Sequence, residues 1–217
     1  MKHIATFAWA IATALGLVST VHAQAPVPSV DAPPAVNAVW IERDLTFTYM
    51  GHTSYYSCDG LRDKVRLVLR QLGARPDLKV TARNCMRQSG PEWTPAVRIV
   101  AAFPAEATPE LMAELAASAP ERELAARVGG KPVTEATAQF PARWKRVEFQ
   151  SGPSGLRDID DGDCDLMEQL RRSVFDKIGV RVLEYDVNCV PRQVTLGAVR
   201  MAVEVLEPVS PAADPAR

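Results

Sequence analysis

From Trp40 to Met50, apolar Leu45, Phe47 and Tyr49 alternate with polar Asp44, Thr46 and Thr48. A period of two carried by aromatic residues predicts a half-buried strand. The period then changes. Leu61, Val65, Val68, Leu69 and Leu72 trace one face of a helix that starts at Cys58-Asp59, and Gly73 stands where a left-handed C-terminal cap belongs. Leu78 to Cys85 and Ala96 to Phe103 follow as two further strands.

The same order returns about 100 residues later. Trp144 to Phe149 alternates as a strand, and Cys164-Asp165 opens a helix carrying Leu166, Met167, Leu170, Val174, Phe175 and Ile178. Gly179 closes it. Val180 to Cys189 ends on Asn188-Cys189 as Leu78 to Cys85 ends on Asn84-Cys85, and Val199 to Leu206 completes the set. Between the copies, Thr108-Pro109 reads as an N-cap and first helical residue, opening a helix that breaks or bends near Pro120.

The chain therefore reads as α+β: tandem duplicated β-α-β-β units, each an antiparallel sheet with one helix packed on it, joined by a helical linker. The expected bounds are 39–104 for the first unit, 105–141 for the linker and 142–207 for the second unit. A competing parse makes 39–149 a ferredoxin-like β-α-β-β-α-β domain with an α-β-β appendix.

The ends differ in kind. Residues 1–23 read as a secretory signal peptide: Lys2 is the basic start, Ile4 to Val18 carry no charge, and Val21-His22-Ala23 is a cleavage site. Residues 24–38 form a Pro-rich leader and 208–217 a similar tail, both expected to be disordered. No later stretch is long and apolar enough to cross a bilayer. The compartment expected is the bacterial periplasm or the medium.

Export changes the meaning of the four cysteines, an even count that implies disulfides outside the cytoplasm. Cys58–Cys85 and Cys164–Cys189 are the expected pairs, since each joins a helix start to the end of the strand that returns beside it. Each bridge closes a loop of similar length, worth roughly 3.5 kcal/mol on the chain-entropy model. No C-x-x-C spacing supports a redox couple or a zinc knuckle.

Charge is balanced, with 25 basic against 26 acidic residues, and removing Lys2 with the signal leaves 24 against 26. That balance and the compartment argue against nucleic acid. Within it, Arg62, Arg66, Arg70, Arg83 and Arg87 form a candidate anion-binding face for an acidic envelope component.

The loops before the two helices diverge most between the copies. The first holds Tyr49, His52, Tyr55 and Tyr56, a candidate binding rim, because tyrosine rings offer amphipathic contact area at low entropic cost. The second holds Asp158, Asp160, Asp161 and Asp163, a weak calcium candidate that fails the EF-hand register; carboxylates also gather at helix N-termini because the dipole favours them there. No catalytic motif and no cofactor fingerprint is present. The function expected is non-catalytic binding to an envelope or secreted protein, or to an anionic envelope component. The alternatives are a small secreted hydrolase, an enzyme inhibitor, or a structural subunit pairing through a sheet edge, which an exposed final strand, Val199 to Leu206, would favour.

Overall fold

The computed structural model describes residues 34–85, 91–129, 138–152 and 159–209. The signal peptide, most of the leader, Arg87, Asp158 and the tail beyond 209 lie outside the described residues. The elements are β1 (Val36–Thr48), α1 (Cys58–Gln71), β2 (Lys79–Arg83), β3 (Ala96–Glu106), α2 (Pro109–Ala117), α3 (Ala119–Val128), β4 (Phe140–Gln150), α4 (Cys164–Ser173), β5 (Arg181–Val187) and β6 (Val199–Pro208). β1 starts inside the stretch read as leader, because Val36 and Ala38 find ladder partners on β4.

The six strands form one sheet in the order β2-β3-β1-β4-β6-β5, every neighbouring pair antiparallel. A single continuous sheet thus replaces a separate three-stranded sheet for each unit. From edge to centre, either half runs second strand, third strand, first strand, with its helix crossing over the third. Within the sheet, β1 and β4 meet through three ladder pairs, Val36 with Ala142, Asn37 with Pro141 and Ala38 with Phe140. The first four strands alone also fit the ferredoxin-like order. Among the helices, α2 and α3 bury no residue, whereas α4 buries five.

Alternation assigns the faces. Leu45 and Phe47 on β1 and Val147 and Phe149 on β4 point to one side, where α1 and α4 share a single continuous core with Ile99, Met201 and Val203. Leu61, Val65, Val68 and Leu69 of α1 are all buried, each worth about 1.5–3 kcal/mol relative to exposure. A charged residue at Val68 would break that face. The second helix, expected to run unbroken to Ile178, stops at Ser173 and resumes as a 3-10 turn over Phe175–Ile178. Val174, at φ −122°, leaves the helical region and lets Phe175 and Ile178 both be buried.

On the opposite face Trp40 stacks on Phe140 at 5.0 Å between centroids. Arg75 lies over Trp40 and Arg181 over Trp144, at 5.7 and 3.6 Å. Each arginine comes two residues after a left-handed glycine, Gly73 or Gly179. These guanidinium–ring pairs cover the sheet where no core helix does.

The outer strands are β2 and β5; β6, whose exposure would have favoured a subunit pairing through a sheet edge, is paired on both sides, by β4 and β5. Hairpin closure explains this, since the last strand inserts between the two earlier ones of its half. Both true edges are blunted. Nη2 of Arg66 donates to the carbonyl of Val80 on β2, and β5 carries a bulge at Leu183.

Candidate functional site

Both expected disulfides are present. Cα atoms of Cys58 and Cys85 are 6.0 Å apart and those of Cys164 and Cys189 5.6 Å. Each fixes the base of a pre-helix loop to the end of a strand, as the hairpin of helix and strand requires. The two bridges fit a protein exported to an oxidising compartment. No helix among the described residues is long and apolar enough to cross a membrane.

The first loop coils around Tyr49, whose hydroxyl donates to the carbonyl of Ser54 at 2.8 Å. Gly51 is required there, since a Cβ would overlap both that carbonyl and the Tyr49 hydroxyl. Tyr49 is 1% exposed and meets Tyr56 edge-on at 5.0 Å. Tyr49 belongs to the interior, and Tyr56 is half-buried against it. Tyr55 and His52 remain exposed, and Tyr55 meets Trp93 edge-on at 6.3 Å.

The second loop turns its carboxylates toward the first. The Asp165 carboxylate accepts the backbone N–H groups of His52 and Thr53, at 2.9 and 2.8 Å. Asp163, 3% exposed, accepts the Tyr56 hydroxyl and the Lys64 ammonium, the latter at 2.7 Å. Lys64 also reaches Asp160 at 2.6 Å. The Gln169 side chain donates to the Met50 carbonyl and accepts the Met50 N–H, at 2.8 and 3.0 Å. Asp161 accepts Gly197 N–H, and the Thr53 hydroxyl donates to the Val190 carbonyl. The loops of the two halves are thereby clasped.

The electrostatics follow from burial. Removal from water pushes the Tyr49 and Tyr56 hydroxyls well above the ordinary tyrosine range, and the Asp163 and Asp165 carboxylates push the same way. For Lys64, burial favours the neutral amine, but the hydrogen bonds and charges of Asp160 and Asp163 outweigh it and hold the ammonium above its usual range. This is a charged clasp in which every group has a partner.

Among the described residues of the acidic loop, Asp160 and Asp163 hold an ammonium and Asp161 a backbone amide; Asp158 lies outside them. Asp165, Glu168 and Cys189 bring three ligand-type atoms within 4.8 Å. The Cys189 sulfur is bridged to Cys164, so it supplies no thiolate, and Asp165 is already committed to two amides.

The arginine face is also divided. Arg62 pairs with Asp59 and Asp63, and Arg66 with Asp63. Arg70 borders an open groove of about 400 Å³ with Asp63, Arg66 and Leu67. Arg83 lies in register with Ala96 and Thr48, on the side of the sheet away from α1.

Sequence patterning missed Trp93, Val194 and Leu196, all more than half exposed. Trp93 sits in a loop between Pro91 and Pro95, the one signal that could have flagged it. It also missed Lys64 as the centre of the clasp, for which a single lysine in a run of arginines gives no cue. No protein-family model, no curated protein and no solved structure matches the chain.

Proposed function

We propose that the chain is an exported, non-catalytic binding protein of the bacterial cell envelope that takes a protein partner on an apolar rim at its clasped loops. One observation carries this reading. Met50, Tyr55, Trp93, Val194 and Leu196 are each more than half exposed and lie on three loops, 50–57, 91–95 and 190–198. Those loops are tied to one another by Thr53 to Val190 and by Glu92 N–H to the Tyr56 carbonyl. Apolar and aromatic exposure concentrated on pre-ordered loops is the composition of an interaction site, and pre-ordering lowers the entropy lost on binding.

An anionic envelope component is the weaker partner, because Arg62 and Arg66 are neutralised by their own aspartates. The duplicated origin of the two halves belongs to the same proposal. Its support is the common strand order, the equivalent bridges, the left-handed Gly73 and Gly179, and the arginine that follows each to cover a tryptophan.

The test is affinity capture from envelope extract with the oxidised mature protein against a Tyr55→Ala/Trp93→Ala variant. A discrete protein held by the wild type and bound at least about tenfold more weakly by the variant supports the rim. Equal capture by both sinks it.

A further inference from the structure

The segments that hold the first loop are the two that the Cys164–Cys189 bridge joins. Asp165, next to Cys164, accepts His52 and Thr53 N–H, and Val190, next to Cys189, accepts the Thr53 hydroxyl at 3.3 Å. Gln169, one turn further along α4, holds both polar groups of the Met50 peptide. The loop of one half is thus docked on the disulfide of the other. Cys164 is buried while Cys189 is half-buried, which makes Cys189 the more exposed residue of the bridge.

We infer that Cys164–Cys189 is a redox latch for the rim: oxidised, it holds the 50–57 loop in its binding shape, and reduced, it releases that loop while the sheet stays folded. This rests on the rim proposed above and adds its control. The co-reactant is a dithiol. One of its thiolates attacks the Cys189 sulfur, forming a mixed disulfide and freeing the Cys164 sulfur as thiolate, which takes up a proton. The second dithiol sulfur then displaces Cys189 and closes the reductant into a disulfide. Two electrons and two protons are gained by the bridge and lost by the dithiol. Separation of residues 164–165 from 189–190 removes the geometry in which Thr53 is held from both sides.

Amide hydrogen exchange on the full mature chain tests this without any partner. In a Cys164→Ala/Cys189→Ala variant, exchange at His52 and Thr53 is expected to quicken about tenfold or more, as for loss of a charge-assisted hydrogen bond, while Phe47 and Ile99 stay protected. Unchanged exchange at His52 and Thr53, or equal acceleration throughout the sheet, overturns the latch. Should that variant fail to fold, Asp165→Ala keeps both bridges and decides: protection at His52 and Thr53 must fall by a similar factor, and unaltered protection overturns the docking on which the latch depends. Loop release combined with partner capture that ignores Tyr55 and Trp93 keeps the latch and removes the rim.

Discussion

Asp59 and Asp165 hold the same place in the two halves, each directly after the cysteine that opens the helix. Their fates differ. Asp59 is exposed and pairs with Arg62 on the solvent side of α1, whereas Asp165 is buried and holds two backbone amides of the opposite half. The preceding loops differ in the same sense: the first presents N–H groups, a tyrosine hydroxyl and, from α1, an ammonium, and the second presents carboxylates. The two loops contrast most where they touch: amide, phenol and ammonium donors of the first meet carboxylates of the second, while Gln169 returns a donor to the Met50 carbonyl. Two identical loops could not satisfy each other in this way, because buried acceptors facing acceptors are left unpaired.

Substitution to alanine at the two positions breaks the comparison hardest. Asp165→Ala leaves two part-buried N–H groups without a charged acceptor and should cost about 2–3 kcal/mol, read as a lower denaturation midpoint in urea. Asp59→Ala removes only an exposed pair and should cost under about 1 kcal/mol. Equal losses at both would show that the halves are not specialised.

The helix-closing glycines sharpen it next. Gly73 and Gly179 are both left-handed, at φ 83° and 77°. Alanine at either should cost about 1–2 kcal/mol. Gly73→Ala should be the worse of the two, since its Cβ would lie 3.1 Å from the Leu206 carbonyl whereas Gly179 opens on empty space. Thermal midpoints rank the pair directly.

The smallest effect separates the clasp by pH. Lys64 and Tyr56 both have folded-state values raised above their ordinary ones, Tyr56 by burial first and Asp163 second. For a raised group the folded state retains its proton longer than the unfolded chain. The alkaline-sensitive share of Lys64 and Tyr56 is therefore intact at pH 8 and is lost as pH rises beyond about 10. Tyr56→Phe should cost about 1 kcal/mol at pH 8 and make the decline between pH 8 and pH 11 shallower, by urea unfolding at both. An unaltered slope would assign the alkaline loss elsewhere.

Much of this was legible locally. The alternation of Leu45, Phe47 and Tyr49 marks a strand, the spacing of Leu61 to Leu72 a helix, and the recurrence of cysteine, glycine and Asn-Cys the bridges. The burial of Tyr49 and the half-burial of Tyr56 were not legible, for the opposite reason. A tyrosine in a loop has the same sequence signature whether it faces solvent or a neighbouring half, and only the Asp163 and Ser54 acceptors decide between them.

What the linear order of residues determined is whatever depends on neighbours a few positions apart: the periods of strand and helix, the caps, the cysteine framework of each half. Tertiary structure alone decided that both halves share one sheet, that β6 lies inside it, and that carboxylates after residue 159 hold amides near residue 52. Those partners are more than 100 positions apart. A hydrogen bond across such a gap leaves no periodic mark in either segment, because its geometry is set by how two packed faces meet and not by the spacing along either strand or helix.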